Sequence, residues 1–193
     1  MATRMEAKPF IESKLFDLIE DKPFPVYKHR THYLIISGIG KINASIASTY
    51  LMTKFEIDSM YNIGAAGAAT ENFMQGDILH INSVTDCSQL LNAKSESKSL
   101  KPDILSNYKS ESLATCDVPI ISAEERAIAA QKASLIDMEG FAFVQTCKKF
   151  NTKNYLFKII TDTPAHISVD EIVLNIRNTR GLLYQFFMEN FIK

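Results

Sequence analysis

The chain has 193 residues, 46% of them hydrophobic, with 21 lysines and arginines against 22 aspartates and glutamates. A chain of this size can bury about 70% of its surface in one core, and its composition is that of a single globular domain over 1–193 rather than a disordered, collagen-like or disulfide-stapled chain. The net charge of -1 leaves no electrostatic footprint for duplex binding, so nucleic acid is not an expected partner, and no window reaches the roughly 18 to 20 uncharged apolar residues of a membrane span.

In chain order, the opening MATRMEAKPF lacks the apolar core of a signal peptide. Amphipathic spacing predicts a helix from Pro9 to Glu20, with Phe10, Leu15, Phe16 and Ile19 as its stripe. THYLIIS (31–37) reads as a strand running into Ser37-Gly38-Ile39-Gly40-Lys41, and Lys41 to Lys54 as a helix. MYNI (60–63) is a strand that ends in Gly64-Ala65-Ala66-Gly67, and DILHINSV (77–84) is the next. Residues 88–112 are crowded with serine and lysine and read as a surface loop or lid. VPII (118–121), a helix from Ala123 to Lys132, SLIDM (134–138), a helix from Glu139 to Phe150, NYLFKIIT (154–161) and a helix from Val169 to Phe191 complete the pattern. The strands are apolar throughout, as strands buried on both faces are. Strand alternating with helix gives an α/β fold, a three-layer αβα domain around a central mixed sheet.

The polar residues that interrupt this pattern cluster at the carboxyl ends of strands: Gly38 and Gly40, Gly64 to Gly67, Asp137-Met138-Glu139-Gly140, and Asp162 before Pro164. In open α/β sheets that edge is where loops and helix N-termini converge on a ligand. Each has a structural explanation as well, since glycines permit tight turns, Glu139 suits a helix N-terminus and Asp162 suits a turn. SGIGK is neither a P-loop nor a dinucleotide fingerprint. Two glycines three apart beyond a buried strand leave bare backbone N–H groups open to a ligand oxygen. Carboxylates around such a crevice suit acid–base chemistry on a neutral, hydroxylated, nitrogen-rich ligand, and Glu6, at the start of a helix, is placed to join them. The four histidines have no metal-ligand spacing, so no metal or organic cofactor is expected. Cys87, Cys116 and Cys147 read as reduced, buried thiols of a cytoplasmic protein.

Taken together, Ala2-Thr3-Arg4-Met5-Glu6, SGIGK at 37–41, NIGAAGAA at 62–69 followed by Gly76-Asp77-Ile78, IDMEG at 136–140, IITD at 159–162 and HISVDE at 166–171 resemble, in order and over nearly the whole chain, the signatures of the nucleoside phosphorylase/nucleosidase superfamily, in its methylthioadenosine/S-adenosylhomocysteine nucleosidase branch. The resemblance implies cleavage of the N-glycosidic bond of a small-molecule purine nucleoside through an oxocarbenium-like transition state. It implies that Asp162 protonates the purine at N7, that Glu139 holds the ribose hydroxyls and favours the developing cation, and that Glu6 orients and deprotonates the attacking water. Met138 would pack on the sugar, the backbone of Ala66 and Gly67 would line the site, and Ile39, Ala65, Asp137 and Val169 would complete the substrate contacts. For its role Asp162 would have to keep a proton near neutral pH, through burial or a neighbouring carboxylate.

Water is expected as acceptor rather than phosphate, because Tyr61 and Asn62 stand where phosphorylases carry an arginine; Arg4, Lys41 and Lys158 are the residues able to overturn this. The alternatives are a phosphate-dependent phosphorylase and a nucleoside-binding homologue without catalysis. The resemblance also implies a homodimer or higher homo-oligomer, with Phe73, Tyr108, Phe141 and Phe143 as candidate interface aromatics. The family's short apolar strand before its first acid is not found ahead of Glu6, which implies either a later start or a sheet short of one strand with Glu6 less firmly held. Lys158 stands where an arginine is usual, and Val169 replaces an aromatic over the 5′ substituent.

Overall fold

The computed structural model describes residues 1–87, 98–165 and 168–192. The first helix, α1 (Arg4–Glu12), starts earlier than its apolar spacing predicts because Thr3 and Glu6 form a reciprocal capping box. It is over by Lys14, which takes a φ of 58°. The expected helix Pro9 to Glu20 is therefore corrected. Its second half is β1 (Asp17–Glu20), and of the supposed stripe Phe10 and Phe16 are buried while Leu15 and Ile19 are exposed. β1 joins β2 (Val26–His29) and β3 (His32–Ile35) in a small antiparallel sheet.

The helix α2 (Lys41–Lys54) follows with the predicted bounds. Next come β4 (Ser59–Ala68), β5 (Ile78–Asp86), β6 (Ser99–Leu100) and β7 (Ser110–Thr115). The chain ends with α3 (Ala123–Ala130), β8 (Leu135–Asp137), α4 (Gly140–Lys149), β9 (Lys153–Asp162) and α5 (Val169–Asn190). The expected strand at 118–121 is a second correction: the strand lies earlier, at β7, where Ser110, Glu111 and Ser112 disguise it, and Val118 is exposed. The predicted loop at 88–112 contains β6 and the start of β7, and its stretch 88–97 lies outside the described residues.

The larger sheet is mixed. β4 runs parallel to β9, and β7 parallel to both β5 and β8, while β4–β8 and β5–β9 are antiparallel. These pairings close a ring through β5, β7, β8, β4 and β9. α2 and α4 cover one face, packing Ala47, Leu51, Phe141 and Val144 against Leu156 and Ile160. α1 and α5 cover the other, with Phe10, Leu183 and Phe187 against Ile63, Phe157 and Ile159. Neighbouring residues of β9 thus serve opposite layers, the period-two alternation of a doubly buried strand. Phe73, Phe141 and Phe143 belong to the core, and Tyr108 packs edge-on against Phe157.

Among the unpaired strand edges of the described residues are that of β3 and that of the first half of β4. Both line one cavity of about 550 Å³, together with Met1 and the α2 residues Ala44, Ala47 and Leu51. At its upper end the carbonyls of Met1 and Ala2 accept the backbone N–H groups of Ser37 and Gly38, which moors α1 to the chain leaving β3. Among the described residues no helix is long and apolar enough to cross a membrane.

Candidate active site

Glu6 is the N3 residue of α1, and the capping box that starts the helix also fixes its carboxylate. The Thr3 N–H and hydroxyl both donate to Oε2, at 2.8 and 2.9 Å. The other oxygen, Oε1, crosses to the end of β4 and accepts the Ala65 N–H at 2.9 Å. This approach requires Gly64, because a Cβ there would lie 2.6 Å from Oε1. Glu6 is therefore firmly held, because Thr3 and Ala65 supply the anchors, and the alternative in which it is less firmly held does not apply.

Glu139 occupies the N-cap position of α4 but makes no side-chain cap there. Its Oε1 instead accepts the N–H of Gly40 at 2.8 Å, at the start of α2. Gly40 is at φ 97°, a conformation that favours glycine, and this aims its N–H at the carboxylate. Burial and the neighbouring charge of Asp137 push the Glu139 carboxyl up to about 7, against the opposing pull of Lys158 and the Gly40 N–H.

Capping α4 falls to Asp137. Its Oδ2 accepts the Gly140 N–H at 2.8 Å and pairs with the Lys158 ammonium at 2.8 Å, while Oδ1 accepts the Thr115 hydroxyl at 2.7 Å. Lys158 is fully buried; burial lowers its pKa, but Asp137, Glu139 and Glu6 together outweigh that and hold the ammonium charged. The α-amino group of Met1, lowered chiefly by burial, also feels Glu6 and Glu139. Glu6, Asp137, Glu139, Lys158 and this amine form one electrostatic cluster. Asp137, expected among the substrate contacts, has both oxygens occupied by protein donors and so positions Lys158 and α4.

Asp162 ends β9, where one extra residue, Thr161, shifts the register so that Asp162 stands opposite Gly67. A Cβ at Gly67 would lie 2.6 Å from its Oδ2. Oδ1 accepts the Thr161 hydroxyl at 2.8 Å, and Oδ2 is paired with the guanidinium of Arg126. Burial of Asp162 was expected, but this cationic partner was not. Arg126 is buried on α3, donates from Nη1 to the Ala68 carbonyl at 2.8 Å, and has an Nε without a hydrogen-bond partner. One sequence signal pointed to it: Arg126 falls on the apolar stripe with Ala129 and Ala133, three and seven residues on, a rare place for an unpaired arginine.

Glu6 and Glu139 thus accept the N–H groups of Ala65, in β4, and Gly40, at the start of α2, and Asp162 stands opposite Gly67 near the end of β4. Ala66 is buried, Met138 and Ala65 are partly buried, and Ile39 and Val169 are about half exposed. Lys41 pairs with Asp86 at 2.7 Å and Asp117 at 3.1 Å, and Arg4 lies on the surface near Asp21.

The raised Glu139 carboxyl predicts a stability signature. Its folded-state proton is held more tightly than that of an unfolded glutamate near 4.5. Its contribution to stability is therefore complete below that value and is lost as pH rises through about 7. Relative to wild type, Glu139→Gln should gain melting temperature between about pH 5 and about pH 8. Parallel melting profiles for the two proteins would refute the buried, proton-retaining carboxyl.

Comparison with known proteins gives the family. Residues 6–98 match the family model of the phosphorylase superfamily. A 5′-methylthioadenosine/S-adenosylhomocysteine nucleosidase of Staphylococcus aureus is 30% identical over 161 residues, 71% of each chain. Among solved structures, the 5′-methylthioadenosine/S-adenosylhomocysteine nucleosidase of Neisseria meningitidis in complex with methylthio-immucillin-A superposes with a TM-score of 0.75 at 18% identity, over 95% of this chain and 94% of that one. The futalosine hydrolase of Helicobacter pylori superposes at 0.78, again at 18% identity, over 97% and 95%. On the sequence match and the shared fold, the chain belongs to the phosphorylase superfamily, in the enzyme branch of the 5′-methylthioadenosine/S-adenosylhomocysteine nucleosidases.

Proposed function

We propose that this enzyme is a purine-nucleoside N-ribosyl hydrolase. The observations that support the reading are that buried Glu6 and Glu139 share one charged cluster with Lys158 and accept the peptide N–H groups of Ala65 and Gly40, and that buried Asp162 stands beside Gly67, two residues along β4 from Ala65. In this reading the oxygen of a water molecule attacks the anomeric carbon and gives up a proton to Glu6. The bond from that carbon to N9 breaks, its electron pair passes to the purine, and Asp162 returns a proton at N7. Glu139 binds the ribose hydroxyls, and its charge favours the cation that develops on the sugar more than the neutral ground state. Met138 and the backbone of Ala65, Ala66 and Gly67 line the sugar, with Ile39 and Val169 toward the open side. Asp162 can carry its proton to the base only when Arg126 lets go of Oδ2, so the guanidinium moves as the base enters. Self-association belongs to this reading only as what the family resemblance implies.

Water is favoured over phosphate because each basic residue that could hold the dianion already faces carboxylates: Lys158 faces Asp137, Lys41 faces Asp86 and Asp117, and Arg4 faces Asp21. The test is release of free base from methylthioadenosine, S-adenosylhomocysteine, adenosine, inosine and a futalosine-type nucleoside, each with and without inorganic phosphate. Base release at the same rate in both series is expected. Strict phosphate dependence would make the enzyme a phosphorylase, and binding without release would end the hydrolase reading.

A further inference from the structure

We propose that Cys87 and Cys116 are a site of reversible thiol oxidation, at which a hydroperoxide converts the pair into a disulfide that links the ends of β5 and β7. Parallel pairing of these strands runs to Asp86 opposite Thr115, and the cysteines are the next residue on each. The Cys87 N–H donates to the Thr115 carbonyl at 2.8 Å, and the Cys116 N–H to the Asp137 carbonyl at 2.8 Å. Neighbouring strands lie about 4.8 Å apart, inside the Cα separation of roughly 4.4 to 6.8 Å that a disulfide spans. Both side chains are buried in one cluster with Ala69, Ala114, Ala129 and Ala133, and their thiols are hydrogen-bonded to each other. Both are free thiols, so the structure shows the reduced form of the pair.

The two thiols have unequal roles. The hydrogen bond from Cys116 lowers the Cys87 pKa, and the Lys41 ammonium adds to this, against burial and the charges of Asp86 and Asp117. The same hydrogen bond, and then burial, raises that of Cys116. Since the thiolate is the nucleophile, Cys87 reacts first. Its sulfur attacks one oxygen of the hydroperoxide, the O–O bond breaks, and the thiol proton leaves with the other oxygen as an alcohol or water. Cys87 is then a sulfenic acid. The Cys116 sulfur attacks that of Cys87, the S–O bond breaks, and water leaves with the Cys116 proton. Two thiols have lost two electrons, which the peroxide bond has taken up, and an external dithiol reverses the change by exchange. The link lies in the support of the acidic cluster: Cys87 follows Asp86 and Cys116 precedes Asp117, both paired with Lys41 at the head of α2, beside the Gly40 that anchors Glu139. The inference is independent of which nucleoside, if any, the enzyme cleaves.

The test exposes the native wild-type chain to a small excess of hydrogen peroxide, alkylates the remaining thiols and maps the peptides by mass without reduction. The expected product is a peptide pair joined through Cys87 and Cys116, in a chain that keeps its native circular dichroism and regains both thiols with dithiothreitol. Cys147 serves as the internal control: it lies in another cluster, burial pushes its thiol up to about 12, and it should be oxidised about tenfold more slowly or less. Cys116→Ala should halt the reaction at a sulfenic acid on Cys87, trapped by dimedone, whereas Cys87→Ala should leave Cys116 unoxidised over the same time. Thiols that only fill the core predict no joined peptides until denaturant is added, and that result would overturn the proposal. So would oxidation of Cys147 ahead of the pair, or a sulfenic acid on Cys116 in the Cys87→Ala chain. The wild-type measurement stands by itself should either variant fail to fold.

Discussion

Replacing Asp162 by asparagine is expected to lower base release by about 10² to 10⁴, the usual range for loss of a positioned proton donor. Asparagine keeps the shape and one oxygen, so Thr161 and Arg126 retain a neighbour at Asp162's place opposite Gly67. A loss of turnover with nucleoside binding retained would separate proton delivery from folding. Alanine would serve less well: it would strand the Arg126 guanidinium in a buried position, at a stability cost of about 3 to 5 kcal/mol. Turnover unchanged in Asp162→Asn would remove this residue from the chemistry and leave the proton to another group.

The largest stability effect is expected at Lys158. Its ammonium is fully buried against Asp137, within an electrostatic cluster that also includes Glu6 and Glu139. Lys158→Met would leave those carboxylates without their cation, and breaking a buried pair from one side typically costs about 3 to 5 kcal/mol. For a chain of this length that corresponds to a melting temperature lower by roughly 6 to 20 °C. Removing the facing charge as well, in Asp137→Asn with Lys158→Met, should recover a substantial part of the loss, because the uncompensated anion rather than the missing ammonium causes it. A single variant that melts within a degree or two of wild type would show that the cluster is solvated, and the raised Glu139 carboxyl would lose its cause.

Most of the frame was legible because apolar strands and amphipathic helices differ in period. α2, α4, α5, β5, β8 and β9 fall where the spacing places them, within a few residues at the ends. The misread elements share one cause, a local pattern overruled by a contact distant along the chain. Ser110 to Ser112 are too polar to announce a strand, but the backbone of β7 is wedged between β5 and β8. Leu15 and Ile19 continue a helical stripe on paper, but the left-handed Lys14 and the pairing of β1 with β2 end the helix first. Asp137, Glu139 and Asp162 stood out because they interrupt apolar runs, and Glu6 because of its place at a helix start. Their hydrogen-bond partners were not legible, since those lie far away in sequence. Asp137 looks like Glu139 in the sequence, and only Lys158, Thr115 and Gly140 show that it is a support. Arg126 was missed because, beside Glu124 and Glu125, it reads as part of a solvated face, and its place on the stripe of Ala129 and Ala133 is a weak signal until its burial is known.

The cluster around Lys158 bears on inhibitor chemistry. Three carboxylates, of Glu6, Asp137 and Glu139, face one ammonium and a terminal amine whose pKa burial lowers, so negative charge is in surplus in this cluster, where the proposed function puts the sugar. A sugar mimic with a protonated ring nitrogen should therefore outcompete its uncharged carbocyclic twin. Acidification through the Glu139 titration near 7 should erode that advantage, leaving shape alone to hold both compounds.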